Sequence, residues 1–166
     1  ALVVNPYYNK PTQDGLYQHF KTVASKVDIP IVVYNIKGRT AVNVETETLM
    51  RLLNECSNIV AVKEASGDIS QMMDVIAEKP DHVNVLSGDD GLTLPLLAVG
   101  GKGVISVASN IHPARVTEMV AKALNNQLGP ALRIHYELLP LFKGIFIETN
   151  PIPIKAALAM KGMIQE

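Results

Sequence analysis

The chain has 166 residues, of which 48% are hydrophobic and 19% charged, and its formal net charge is −1. That length allows one domain with a sizeable core, and without a basic stripe it excludes a nucleic-acid partner. No run reaches the roughly 18 apolar residues of a membrane span, the first residues do not read as a targeting segment, and the single cysteine, Cys56, rules out an intramolecular disulfide and fits a reducing, cytoplasmic setting.

In chain order, the first predicted strand is 1–5 (ALVVN), followed by an amphipathic helix with Leu16, Phe20, Val23 and Val27 on one face. A second strand, 30–35 (PIVVYN), leads to a helix carrying Leu49, Leu52, Leu53 and Cys56 at helical spacing. The third, 59–63 (IVAVK), precedes a helix with Ile69, Met72, Met73 and Ile76. Strand 83–87 (VNVLS) is followed by a short apolar helix at 92–99, and strand 103–107 (GVISV) by a helix that Pro113 opens. Gly129–Pro130 is expected to break that helix, with a long helix over about 131–146 and a final one over about 152–162. The apolar runs are continuous rather than alternating, as in strands covered on both faces. The chain opens on ALVVNPYY as though a strand had been cut into, and stops at KGMIQE directly after a helical stretch. A fragment or a processed chain is therefore expected.

Strand followed by helix, five times over, predicts a parallel βα series. A doubly wound sheet would carry a glycine-rich phosphate loop after its first strand, and NPYYNKPTQDG is not one. A (β/α)8 barrel takes about 250 residues, so the expectation is a partial TIM barrel, a single domain over 1–166.

In parallel α/β architectures ligands sit beyond the carboxyl ends of the strands. Those ends read Asn5-Pro6-Tyr7-Tyr8, Tyr34-Asn35, Lys63-Glu64, Ser87-Gly88-Asp89-Asp90 and Ser106 to Asn110. Tyr34 and Lys63 hold equivalent places on consecutive strands, whose backbones would lie about 4.8 Å apart. A lysine with an apolar approach loses solvation, which disfavours its charged form. A neutral amine can form a Schiff base with a carbonyl substrate, and a phenol beside it can shuttle protons. On the residues alone, a lysine at a strand end more often reaches solvent along its stem, and a tyrosine such as Tyr34 is more often packing with a satisfied hydroxyl. Asp89–Asp90 reads as a helix cap rather than a metal site. His19, His82, His112 and His135 show no metal-binding spacing, Met72–Met73 reads as core, and GxG at 101–103 as a turn.

Taken together and in order, NPYYNKPTQDGLYQHF, VVYNIKGRT, VAVKEASGD, VLSGDD, GGKGVISVASN and NPIPIKAAL resemble the dihydrodipicolinate synthase family, within the pyruvate-dependent class I aldolase superfamily. The resemblance runs from end to end and implies the C-terminal portion of that family's barrel, roughly strands four to eight with the start of its C-terminal helical region. It implies that Lys63 forms the Schiff base with pyruvate, that Tyr34 relays protons, and that Tyr8 reaches across a tight dimer interface to complete the neighbour's relay. Arg39 would receive the carboxylate of L-aspartate 4-semialdehyde, Gly88 and Ile105 would line the pyruvate pocket, and Tyr7 matches a residue of the family's lysine feedback site. A homodimer or homotetramer, no cofactor and a cytoplasmic place in lysine and diaminopimelate biosynthesis follow from the same resemblance. Lys37 stands where the family usually has proline. The family's first three strands, with a TTGE-like segment whose threonine serves the relay, have no counterpart in the sequence, nor do its last helices, so the chain alone is expected to be inactive or impaired. Two other readings stay open: another pyruvate-dependent aldolase or lyase acting on 2-keto-3-deoxy acids or N-acetylneuraminate, and a non-catalytic, self-assembling partial barrel.

Overall fold

A computed structural model describes residues 1–165. Its elements are β1 (Leu2–Val4), α1 (Gln13–Lys26), β2 (Ile31–Asn35), a single turn α2 (Lys37–Thr40), α3 (Thr46–Glu55), β3 (Ile59–Glu64), α4 (Ile69–Glu78), β4 (Asn84–Ser87), α5 (Thr93–Ala98), β5 (Gly103–Val104), a 3₁₀ turn at Ala108–Asn110, α6 (Pro113–Leu124), α7 (Leu128–Gly144) and α8 (Ile152–Met160). The strands form one sheet in the order β1-β2-β3-β4-β5, every pair parallel. Each strand lies beside its neighbour in sequence, so the order never reverses as it does in a doubly wound sheet. Helices between successive strands make this an arc of a (β/α) barrel.

Local signals explain the helix starts that matter. Thr12 accepts a hydrogen bond from the Gly15 N–H and caps α1, while Asp68 accepts from Ser70 and Gln71 and caps α4. The apolar stripes predicted for α1 and α3 pack on the sheet, with Leu16, Phe20, Leu49 and Leu52 fully buried. On α4 Met72 is buried as predicted, but Met73, read as core, is 43% exposed, because Val75 takes the inward position three residues on from Met72. A second cluster lies away from the first and joins α6, α7 and α8 through Val116, Met119, Ile134, Phe142 and Ile154.

The β2–β3 pairing contains an irregularity: Ile31 faces Ile59, but Val32 faces Ala61, so Val60 is skipped. The bulge lets residues of opposite parity share a face, and it brings Tyr34 opposite Lys63.

Several expectations are corrected. Strand 103–107 shrinks to Gly103–Val104, because the Asp90 carboxylate takes the Val107 and Ala108 N–H groups at 3.0 and 3.1 Å and turns the chain out of the sheet. Asp90 is thus a loop tie rather than a helix cap. Asp89 accepts from the N–H groups of Gly91 and Leu92 ahead of α5. Gly129–Pro130 does not break a helix; the turn at 125–127, with Asn126 left-handed at φ 60°, separates α6 from α7. Pro130 falls in the first turn of α7, where its missing N–H would have had no helical partner.

Candidate active site

Lys63 is the fifth residue of a strand whose Ile59, Ala61 and Val62 are buried, and it is itself only 8% exposed. Its Nζ lies 3.9 Å from the centroid of the Tyr34 ring. Burial pulls the Lys63 ammonium below the usual lysine range, and the Asp90 carboxylate opposes that shift. Burial thus holds amine and ammonium closer in free energy than they are in water, while the ring face, which favours the cation, works with Asp90 against that shift. Gly88, at the end of β4, makes the close approach possible: a Cβ there would lie 2.7 Å from the Ala65 Cβ and 2.9 Å from the Lys63 Cε. The lysine stem therefore runs against bare backbone.

Tyr34, Arg39, Lys63 and Gly88 open onto one cavity of about 300 Å³, closed by Val4, Ile36, Val107, Phe146 and Asn150. Burial raises the Tyr34 phenol above its ordinary value, with Arg39 pulling the other way. The hydroxyl therefore stays protonated, as a donor must, at neutral pH. Arg39, on α2, is anchored by one Nη2 bond to the Asn150 carbonyl at 3.1 Å, which leaves the rest of its fork for a ligand. The arrangement is a desolvated amine, a phenol beside it, and a guanidinium at the rim of a small cavity. It can add an amine to a carbonyl, move the protons that step requires, and hold a carboxylate at the mouth. Among the described residues no group of three or more His, Cys, Asp or Glu could hold a metal ion.

The cavity thus gathers four of the residues singled out from sequence, and three lie elsewhere. Tyr8 is 92% and Tyr7 67% exposed. Ile105 follows β5, its N–H bonded to the Ser87 carbonyl at 2.9 Å, and is not among the cavity's lining residues. Sequence reasoning gave no role to Phe146 and Val107 of the cavity wall. It also gave none to Asn5, Asn35 and Glu64, which are fully buried behind the site. The signal for these three was present, since each is the polar residue that ends an apolar strand.

Residues 1–166 match the family model described as the dihydrodipicolinate synthetase family. The chain is 57% identical over 165 residues to the 4-hydroxy-tetrahydrodipicolinate synthase of Koribacter versatilis, covering 99% of the chain and 55% of that relative. It superposes on the crystal structure of dihydrodipicolinate synthase from Aquifex aeolicus with a TM-score of 0.97 at 53% identity, over 99% of the chain and 56% of that one. Two further solved structures match over 98–99% of the chain and 55–56% of their own length, each with a TM-score of 0.95. One is the Cyanidioschyzon merolae enzyme with lysine bound, at 43% identity, and the other the chloride-inhibited Acinetobacter baumannii enzyme complexed with pyruvate, at 41%. The chain spans little more than half the length of the relatives it matches.

Proposed function

The chain belongs to the dihydrodipicolinate synthetase family, and we propose that the protein carrying it condenses pyruvate with L-aspartate 4-semialdehyde through a Schiff base on Lys63. The observation that carries this reading is the Tyr34–Lys63 pair: a register match of adjacent strands, with the amine at the wall of a small cavity. The identity of the relatives and the pyruvate-bound homologue support the choice of reaction and first substrate.

In this mechanism the neutral Lys63 amine adds to C2 of pyruvate. The carbinolamine oxygen takes a proton and leaves as water, giving the protonated imine. Loss of a C3 proton then forms the enamine, whose C3 attacks the aldehyde carbon of the second substrate, and the aldehyde oxygen takes up a proton. The electron sink throughout is the protein's own imine. Tyr34 carries protons onto and off the carbinolamine oxygen. Gly88 keeps space for the lysine stem, and Arg39 takes the carboxylate of the aldehyde substrate. Ile105, outside the lining of this cavity, would contribute backbone to the pyruvate pocket only where the remaining strands extend it.

The sheet is read as strands four to eight of the barrel, because three helices and no strand follow β5 among the described residues. The remaining strands would close the pocket, so the 166 residues alone are expected to be inactive or impaired. Two adjacent, largely exposed tyrosines suit a subunit contact: Tyr8 would enter the neighbour's proton relay in a homodimer or homotetramer, and Tyr7 would meet L-lysine as an effector. A homologue with lysine bound supports the last point. No helix among the described residues is long and apolar enough to cross a membrane, and we place the protein in the cytoplasm.

The test is turnover by the protein carrying this chain, with pyruvate and a choice of aldehydes. Consumption of pyruvate with L-aspartate 4-semialdehyde, and not with sugar aldehydes or N-acetylmannosamine, is expected. The reverse preference would assign the chain to another pyruvate aldolase.

A further inference from the structure

Behind the reactive pair lies a second row of side chains. Asn35, Glu64 and Ser87 end three adjacent strands, Asn5 directly follows the fourth, β1, and each is 0% exposed. Asn35 faces Glu64 and Glu64 faces Ser87 in register, one position beyond the level at which Tyr34 faces Lys63. Since side chains alternate along a strand, this row points away from the cavity and toward the helices. We propose that Asn5, Asn35 and Glu64 are positioning residues, a hydrogen-bonded column that fixes the strand register bringing Lys63 to Tyr34. The proposal rests on the Schiff-base reading above.

The bonds run across the strands and into the helix layer. The Asn35 Nδ2 donates to Glu64 Oε1 at 3.2 Å and to Asn43 Oδ1 at 2.9 Å. Its Oδ1 accepts from Asn5 Nδ2 at 3.2 Å and from the Val44 N–H at 3.1 Å. Glu64 Oε1 also accepts the Ser66 N–H at 2.9 Å. Asn43 donates to Gln71 of α4 at 2.6 Å, and Gln71 in turn donates to the Val44 carbonyl at 2.9 Å. From α1, Gln13 donates to the Asn43 carbonyl at 2.8 Å. The Asn35 amide thus joins Asn5, Glu64 and the Asn43–Val44 segment, and that segment in turn is held by Gln13 of α1 and Gln71 of α4.

A buried polar group is costly unless it is bonded, and aliphatic side chains would fill this space without that demand. What the polar row adds is a choice of register. The β2–β3 pairing changes register at Ile31/Val32. Carried through without that change, the initial register would set Asn35 against Lys63 and Tyr34 against Val62. The Asn35–Glu64 pairing belongs to the shifted register alone, the one in which phenol and amine share a face. Burial lifts the Glu64 carboxyl above the usual carboxylate range, with the bonds from Ser66 and Asn35 pulling it back.

Glu64→Leu and Glu64→Gln separate positioning from mere support. The leucine removes every acceptor, whereas glutamine keeps one oxygen for the Ser66 and Asn35 donors. The readout is the rate of borohydride-trappable pyruvate imine against pH, in the protein carrying this chain and normalised to folded protein. Glu64→Leu is expected to slow imine formation about 100-fold, the size of loss that a 1 Å misplacement brings. Its pH midpoint should rise toward that of an ordinary lysine, and Glu64→Gln should stay within about threefold of the parent rate by keeping that oxygen. Should Glu64→Leu fail to fold, Asn5→Ala at the column's end should show the same midpoint shift, smaller. A folded variant that loses only thermal stability, with the parent rate and pH midpoint, would overturn the proposal. No trapping in the unsubstituted protein would overturn the Schiff-base reading instead.

Discussion

Two rows of side chains stand back to back on the ends of the same strands, and they are treated in opposite ways. On the cavity side, Lys63 keeps its amine against the face of a ring, outside the ion pairs found among the described residues. On the helix side, Asn35 and Glu64 are fully buried and bonded to one another and to the neighbouring backbone. An underbonded group is free to react, and a well-bonded one is free only to hold. The difference shows how a reactive amine can be kept in one place: its nitrogen is left without an ion pair while the strand beneath it is pinned.

The contrast can be broken from either side. The largest effect is expected on the reactive row. Tyr34→Phe removes the phenol oxygen but keeps the ring over Lys63, so steady-state turnover should fall by about 10²- to 10⁴-fold, as for loss of a proton shuttle. Imine trapping on Lys63 should persist in that variant, more slowly.

A smaller loss is expected between the rows. Gly88→Ala places a methyl group 2.9 Å from the Lys63 Cε and 2.7 Å from the Ala65 Cβ. The stem must move, and activity should drop by about 10- to 100-fold, with destabilisation of about 1–3 kcal/mol from overpacking, read from denaturant unfolding.

Smallest is the change in stability on replacing Lys63 with methionine. The folded pKa of Lys63 lies below its unfolded value, which is about 10.4. Folding therefore releases protons in the interval between the two. The stability tied to this group is fully present above the unfolded pKa and is lost as pH falls through the folded one. At neutral pH Lys63→Met should be at least as stable as the parent, and its advantage should shrink as pH rises toward about 10.4. An advantage that grows with pH would mean that Lys63 is paired, not desolvated.

Much of this was legible in the residues. Period and punctuation marked the five βα units, and Tyr34 and Lys63 stood out as a pair at two strand ends, although the register that sets them opposite each other depends on the bulge. The bulge at Val60 was not legible, because Ile59 to Val62 reads as one unbroken apolar run and nothing in it marks a skipped residue. The early end of β5 depended on Asp90, a carboxylate 16 residues before the Ser106 it bonds, and such a tie leaves no local pattern. Asn5, Asn35 and Glu64 were visible as polar residues at strand ends. Which face they occupied was not visible, since that depends on a register the bulge had shifted.

The central claim is that Lys63 is an activated nucleophile, and reductive trapping tests it most directly. The protein carrying this chain would be treated with pyruvate and borohydride, digested, and mapped by mass spectrometry beside a Lys63→Ala control. The account predicts an N-(1-carboxyethyl) group on Lys63, absent from the control. Folded protein with no adduct, or with the adduct on another lysine, would contradict it.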